Sequence, residues 1–302
     1  MEISNDAERP GAVTTGTARP PALDNGAQAT TDGRFDRESR FWDELYRDDD
    51  VYGEIHRLRL ATALRWIDEL GLPPGTRVLE LGCGAGLAAV ALARRGLAVR
   101  ATDTVGAMLE RASANAAAAG VGDRVTIARA DAQALDLADE SVDLVLALGV
   151  LPWIAAPGRA LAEMARVTRS GGSVVVNADN AARLNYALDP RLNPHLASTR
   201  IAVKRLLRRP RERPGGRSRL HSIREFDALL EAAGLDRERG QVLGFGPFTV
   251  LGRRALPDRV GIRLHRSLQE RADRGAEALA VRGAQYLVRA RKRPGRPGGD
   301  AA

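Results

Sequence analysis

The sequence predicts an α/β fold, a doubly wound and mostly parallel sheet with helices on both faces. Two observations predict it. Short apolar runs alternate with helical runs between residues 77 and 177, and the first apolar run ends in a glycine-rich turn. Apolar strands separated by helices form parallel sheets with right-handed crossovers, so the ligand crevice is expected at the carboxyl ends of the strands.

The elements follow from the periodicity of the apolar residues. A short helix is expected from Asp36, and a longer one from Glu54 to Leu70 that Gly71 ends. Three helices separate the first five strands: 86–95, an alanine-rich run that ends at Gly120, and 157–168. The strands themselves are expected at 77–81, 98–102, 124–128, 142–148 and 173–177.

Composition limits the class of protein. The chain has 302 residues, 44% of them hydrophobic and 4% aromatic, which fits a soluble globular domain with insertions. No stretch resembles a membrane span, and the acidic N-terminus lacks a signal-peptide core, so we expect a cytoplasmic protein. The single cysteine, Cys83, excludes an intrachain disulfide and a cysteine-based zinc site, and no metal is expected. We expect residues 1–33 and 294–302 to be disordered tails.

The net charge of +8 is weak evidence for a nucleic-acid partner. Only Lys204 and Lys292 are lysines, and an excess of arginine is typical of a GC-rich genome. One basic cluster at 204–213 suits phosphate contacts, but no aromatic residues interleave with it to stack bases. We therefore expect no nucleic-acid partner.

The turn G-C-G-A-G follows the first strand, R-V-L-E-L. Gly82, Gly84 and Gly86 carry no Cβ, which lets a ligand approach the main chain closely. Dinucleotide-binding turns prefer G-x-G-x-x-G, and residue 87 is Leu, which argues against NAD. The alternative to a ligand site is a tight turn between a strand and a helix.

Polar residues follow the next two strands. Asp103, with Thr104 beside it, closes the second strand; its carboxylate suits a ribose diol or the cap of the next helix. Asp131 follows the third strand in R-A-D-A-Q, as a ligand contact or as part of an Asx-turn. The fourth strand continues into L-G-V-L-P-W-I.

These four features, in this order and spacing, resemble class I S-adenosylmethionine (SAM)-dependent methyltransferases. The run E-L-G-C-G-A-G from Glu80 is similar to their first motif, and the stretch from Arg77 to Asn177 resembles the Methyltransf_11 type, similar to ubiquinone/menaquinone-biosynthesis methyltransferases. The resemblance implies a Rossmann-like, doubly wound sheet of seven strands, the last antiparallel, with 242–243 and 285–291 as strands six and seven.

The same resemblance implies SAM as the cofactor and assigns its contacts. The glycine loop with Glu80 would wrap the methionine part, Asp103 and Thr104 would bind the ribose, and the adenine would lie beside Asp131 and Ala132. Main chain near Leu148 would line the methionine end.

One methyltransferase domain is expected over 34–293. Its N-terminal helices (34–75) and two insertions (180–220 and 244–282) would form a lid over the pocket. Arg59 on the longer helix, flanked by Tyr46 and Tyr52, either pairs with the cofactor's carboxylate or lies on a plain packing helix. Two phenylalanines of the second insertion, Phe245 and Phe248, either frame a flat acceptor or pack in the core.

We expect methyl transfer to a small-molecule acceptor, on oxygen in a quinone, phenol or other secondary metabolite, by a monomer or homodimer. Nitrogen and carbon acceptors stay open. Methyltransferases that act on nucleic-acid bases typically show [DNS]-P-P-[YFW] after the fourth strand, where this chain has L-G-V-L. The alternatives are an RNA or protein methyltransferase and a non-catalytic SAM-binding regulatory subunit.

A catalytic base near neutral pH is most simply a histidine. His195 and His221 lie in or beside the insertion after the fifth strand and are the candidates. His221 directly precedes Ser222, an expected helix N-cap with Glu225 three residues on. The other two histidines, at 56 and 265, lie in amphipathic helices, where a surface or core position is expected.

Overall fold

The computed structural model describes residues 48–193 and 218–294, and the single positions 33, 46, 196, 198, 199, 201 and 202. The helices are α1 (Val51–Asp68), α2 (Leu87–Ala93), α3 (Gly106–Ala118), α4 (Pro157–Val167), α5 (Leu184–Leu188), α6 (Ile223–Ala232) and α7 (Asp258–Asp273). The strands are β1 (Arg77–Leu81), β2 (Ala98–Asp103), β3 (Val125–Arg129), β4 (Val142–Ala147), β5 (Thr168–Asn180), β6 (Leu220–His221), β7 (Leu235–Leu243), β8 (Thr249–Val250), β9 (Arg253–Arg254) and β10 (Gln285–Lys292).

The main sheet has the strand order β3-β2-β1-β4-β5-β10-β7. Strands β1 to β5 pair in parallel, and β10 pairs antiparallel with both β5 and β7. The short strand β6 adds an eighth member beside the end of β5. The predicted doubly wound sheet with an antiparallel last strand is therefore confirmed, with one extra two-residue strand.

Two strands are longer than the sequence predicted. Strand β7 begins at Leu235 rather than at Val242, and its first half is the charged, exposed run D-R-E-R. Strand β5 begins at Thr168 rather than at Ser173, so Gly171 and Gly172 lie inside the strand. Apolar periodicity reports burial, and exposed strand segments do not show it.

Helices cover both faces of the sheet and give two hydrophobic layers. On one side Met164 of α4 and Phe226 of α6 pack on the sheet, and on the other Trp66 of α1 and Leu92 of α2. Strand β4 lies between the layers: Val145 belongs to the first, while Leu144 and Leu146 belong to the second. This alternation follows from the period of two along a strand.

Helix α1 is held in place by its N-cap and by α7. The Asp50 side chain accepts a hydrogen bond from the Gly53 N–H at 2.8 Å. Arg266 of α7 pairs with Glu54 at 2.7 Å, and a Cβ added to Gly261 would lie 2.7 Å from Cγ2 of Val51. Because α7 packs this closely, it fixes α1 relative to the sheet edge.

Gly86 sets the contact between α2 and α3. Its φ is +79°, and an added Cβ would lie 2.9 Å from Cβ and 3.0 Å from Cα of Ala112. Gly71 has a similar φ of +59° with nothing within 4 Å of an added Cβ. A substitution at Gly71 therefore carries only the cost of the backbone conformation, whereas a substitution at Gly86 carries that cost and a packing cost as well.

We predict that Gly86→Ala lowers the free energy of unfolding by roughly 1–3 kcal/mol more than Gly71→Ala, because only the first overpacks a helix contact. Urea unfolding of both variants measures the difference. Equal losses would show that the α2–α3 contact relaxes freely around the extra methyl group.

Candidate active site

A cavity of about 210 Å³ lies at the carboxyl ends of the parallel strands. Residues that follow β1, β2, β3 and β4 line it, together with residues of α1, the end of β5 and the start of β10. The crevice rule for doubly wound sheets places a ligand at this edge.

The three glycines of the turn after β1 have different functions. Gly84 lines the cavity with φ +52°, and an added Cβ would meet nothing within 4 Å. A Cβ on Gly82 would instead clash with Cγ2 of Val150, although Gly82 also lines the cavity. Gly86 does not line it and packs on α3. The prediction that all three open a path to the ligand therefore fits Gly84 best.

Asp103 joins the end of β2 to the glycine turn. Its Oδ2 accepts a hydrogen bond from the Gly84 N–H at 3.0 Å, and its Oδ1 accepts one from the Val105 N–H at 3.0 Å. Both Asp103 and Thr104 line the cavity. A carboxylate has about four lone-pair sites, so one carboxylate can accept both backbone and ligand hydrogen bonds.

Asp131 forms the turn after β3. Its Oδ1 accepts from the Gln133 N–H at 2.9 Å, which is the Asx-turn that the sequence offered as an alternative. Asp131 and Ala132 nevertheless both line the cavity. The turn and the cavity wall are thus made by the same residues.

Glu80 is a buried acid on the cavity wall, with 5% of its surface exposed. Burial, with the nearby charge of Asp103, raises the pKa of its carboxyl to about 8. Its Oε2 has no hydrogen-bond partner among the described residues. The carboxyl is therefore mainly protonated at neutral pH.

Arg59 is a buried cation that also lines the cavity, with 4% of its surface exposed. Its Nη2 donates to the Tyr46 hydroxyl at 3.1 Å, while its Nε has no hydrogen-bond partner in the described part of the chain. The guanidinium lies against Gly149, where an added Cβ would be 3.0 Å from Nη1. A buried guanidinium with an unused donor suits an anion, as the carboxylate of an amino-acid moiety would supply.

The loop after β4 forms the wall beneath Arg59. Leu148 and Gly149 both line the cavity. The Gly149 N–H donates to Oδ1 of Asn177 at 2.7 Å, which fixes the loop to β5. The sequence predicted this main-chain wall at Leu148.

The structure describes three of the four histidines, at 56, 221 and 265. His56, expected at the surface or in the core, lines the cavity, and its Nδ1 donates to the Tyr52 carbonyl at 2.8 Å. Burial and the charge of Arg59 lower the pKa of His56 to about 3, so the ring is neutral. The spacing of residues 52, 56 and 59 is the signal in the sequence that could have indicated this position, because it places all three residues on one face of α1.

Of the two histidines proposed as bases, the structure describes only His221. His221 lies on β6, outside the lining, and burial lowers its pKa. Its Nδ1 has no hydrogen-bond partner among the residues described, and the capping box of Ser222 and Glu225 that follows is present. His195 lies outside the described residues. His265 is buried and accepts from the Phe245 N–H at 3.1 Å, a core position as expected.

The lid predicted from the two insertions can be compared with the structure only where these segments are described. Within the described parts of 180–220 and 244–282, no residue lines the cavity. Phe245 is buried away from it, and Phe248 does not line it either. Two wall residues, Asp179 and Gln285, flank these insertions and were not identified from the sequence.

The strand order, the glycine turn and the acid after β2 resemble those of class I SAM-dependent methyltransferases. Residues 79–176 match a family whose description is "Methyltransferase domain". The cofactor of this class is S-adenosyl-L-methionine, and Arg59 and Gly84 of the cavity fit it.

Relatives agree with this class. The chain is 34% identical over 158 residues to the demethylmenaquinone methyltransferase of Renibacterium salmoninarum, covering 50% of this chain and 62% of that protein. It is 32% identical over 150 residues to the ubiquinone biosynthesis O-methyltransferase of Paracidovorax citrulli, covering 49% and 60%. The chain thus spans about three fifths of the length of these relatives.

A solved structure shows the same fold. The magnesium protoporphyrin IX methyltransferase of Synechocystis, with bound SAH, superposes with a TM-score of 0.60 at 16% identity, over 88% of this chain and 99% of that one. In the described part of this chain, no helix is long and apolar enough to cross a membrane. The described residues also hold no group of three potential metal ligands.

We predict that Gly84→Ala weakens SAM binding at least about tenfold while Gly71→Ala does not. Both positions have positive φ and open space, so both substitutions carry a similar backbone cost. Only the methyl group at 84 enters the cavity. Calorimetric titration with SAM measures the affinity, and equal affinities in the two variants would remove the turn from the binding site.

Glu80 predicts a pH dependence of stability. A folded pKa of about 8 lies above the ordinary 4.5, so the stability contribution is complete below about pH 4.5 and is lost as the pH rises towards 8. We predict that the stability of Glu80→Gln relative to the wild type increases over this interval, because the amide does not titrate. Urea unfolding across the interval tests this, and parallel curves would contradict it.

Proposed function

We propose that the protein transfers the methyl group of SAM to a small organic acceptor, with oxygen as the accepting atom. The observation that supports this is the continuity of the cavity. The cavity that is lined by Gly84 and Asp103 is also lined by Trp153, which follows β4, and by Asp179 and Gln285 at the β5–β10 edge. We place the acceptor at this edge, beside the cofactor.

The cofactor contacts follow from the position of each wall residue. Asp103 suits the ribose hydroxyls, the turn at 131–132 suits the adenine, and Arg59 suits the carboxylate of the methionine part. Bound SAM supplies an electrophilic methyl group on a sulfonium. The protein aligns the acceptor with that methyl group and excludes water from the site. The burial of Arg59 and Glu80 in the cavity wall supports this exclusion of water.

The acceptor end of the cavity has aromatic and polar walls. Tyr52 and Trp153 supply flat surfaces, and Pro152 lies beside them. Such a surface suits a quinone, a phenol or another flat secondary metabolite. The name of one relative, a ubiquinone biosynthesis O-methyltransferase, supports oxygen as the acceptor.

Transfer of isotopically labelled methyl groups tests the proposal. The purified protein is incubated with labelled SAM and, separately, with a metabolite extract, total RNA or cellular protein. We expect label in the small-molecule fraction, in a product that mass spectrometry identifies as a methyl ether. Label in RNA or protein would contradict the proposal, and SAM binding without turnover on any fraction would indicate a regulatory subunit.

We predict that Asp103→Ala weakens SAM binding by roughly 1.5–3 kcal/mol, because hydrogen bonds to a charged acceptor are lost. The matched control is Asp136→Ala, which removes an exposed carboxylate outside the cavity. Titration calorimetry compares the two variants, and urea unfolding corrects for the lost bond to Gly84. Unchanged affinity in Asp103→Ala would exclude this residue from the cofactor site.

A further inference from the structure

The β5–β10 edge of the cavity carries a polar pair that the cofactor contacts do not use. Asp179 is the second-last residue of β5, and Gln285 is the first residue of β10. The two are directly opposed in the antiparallel register. Directly opposed residues point to the same face with Cβ atoms about 5 Å apart, so both side chains lie on one wall.

Gln285 is buried and incompletely bonded. Only 7% of its surface is exposed, it lines the cavity, and its Oε1 has no hydrogen-bond partner among the described residues. Leaving a buried acceptor unpaired costs about 1–3 kcal/mol. A ligand that donates a hydrogen bond to Oε1 would remove this cost.

Asp179 is an acceptor whose charge is already balanced. Its carboxylate pairs with Arg183 at 3.2 Å, and both side chains are less than one-fifth exposed. Arg59 adds a second buried positive charge to the same cavity. This balance favours neutral O–H or N–H donors over an ammonium group, because a cation would gain little from a neutralised carboxylate.

The pair is held rigidly. Asn180, next to Asp179, donates from its backbone N–H to the Ala284 carbonyl at 2.9 Å, and its Nδ2 donates to the carbonyls of Val281 and Gly283 at 2.8 Å each. These bonds join the end of β5 to the start of β10. The two acceptors therefore keep a fixed separation before any ligand arrives.

The position of the pair separates it from the cofactor contacts. Those contacts lie at the ends of β1, β2, β3 and β4 and on α1, whereas β5 and β10 continue the sheet beyond β4. Neighbouring strands are about 4.8 Å apart, which places β10 roughly 10 Å from β4 and roughly 14 Å from β1 across the sheet. At this distance from the cofactor contacts, Asp179 and Gln285 are available to bind a second ligand.

We propose that Asp179 and Gln285 form the acceptor-recognition subsite, and that it takes a neutral acceptor with two neighbouring hydrogen-bond donors, such as a vicinal dihydroxy compound. One donor pairs with the Asp179 carboxylate and the other with Oε1 of Gln285. This inference rests on the proposed function, since it assigns the second ligand of the same cavity.

Direct binding of small probes to SAH-saturated protein tests it. Catechol carries two neighbouring hydroxyls, guaiacol has one of them blocked by a methyl group, and resorcinol has its two hydroxyls further apart. We expect the wild type to bind catechol about tenfold more tightly than the other two, the effect of one lost hydrogen bond. Equal affinity for all three probes would overturn the proposal without using any variant.

Variants assign the effect to the pair. Gln285→Leu should lower catechol affinity to that of guaiacol while leaving guaiacol affinity nearly unchanged, and Asp179→Asn should also reduce the preference. The matched control, Gln241→Leu on β7, lies outside the cavity and should keep it. An equal loss for both probes in Gln285→Leu would contradict specific recognition.

SAH affinity separates this inference from the proposed function. We expect it to be unchanged in all three variants, which also shows that they fold. If the wild type fails to bind SAH, the proposed function falls and this inference falls with it. If SAH binds and the probe preference is absent, only the subsite is wrong.

Discussion

The hydrogen bond from the Gly84 N–H to the Asp103 carboxylate is the interaction on which the site depends. At 3.0 Å it joins the turn after β1 to the end of β2, two strands that pair in register up to Leu81 and Thr102. The turn needs positive φ at Gly84 to present this N–H, and Gly86 needs the same freedom to bring α2 onto α3. The pairing of β1 with β2, the packing of α2 on α3 and the shape of the cavity therefore all depend on the turn after β1 and on the end of β2.

The charges of the cavity follow from its burial. Arg59 keeps its charge because a guanidinium does not lose its proton in proteins, whereas Glu80 responds to the same burial by a raised pKa. His56 is neutral because both its burial and the charge of Arg59 lower its pKa. The cavity thus combines the fixed cation of Arg59 and the acidic residues Asp103, Asp131 and Asp179 with two groups held neutral, and Arg59 can pair with the carboxylate of a cofactor's amino-acid part.

Much of the fold could be predicted from the sequence because burial gives periodic patterns. The five parallel strands and the acids at 103 and 131 were found where the crevice rule places them. Strand β7 was shortened in the prediction because its charged first half is exposed. His56 is buried, as one of the two predicted alternatives had it, but the sequence does not show that its face of α1 also lines the cavity.

Asp179 and Gln285 show the limit of sequence reasoning more clearly. They are 106 residues apart in the chain, and only the antiparallel register of β5 and β10 brings them together. Neither belongs to a motif, and an acid or an amide at a strand end has no distinctive spacing. Register between distant strands depends on tertiary packing, which periodicity in one segment does not report.

The central claim is that the cavity at the carboxyl ends of the strands holds the cofactor, with its adenine beside 131–132 and its carboxylate at Arg59. A crystal structure of the protein with SAH tests this most directly. The account predicts a carboxylate within hydrogen-bond distance of the Arg59 guanidinium, the ribose hydroxyls on Asp103, and open space left beside Asp179 and Gln285. SAH bound in the reverse direction, or at any other place on the protein, would contradict it.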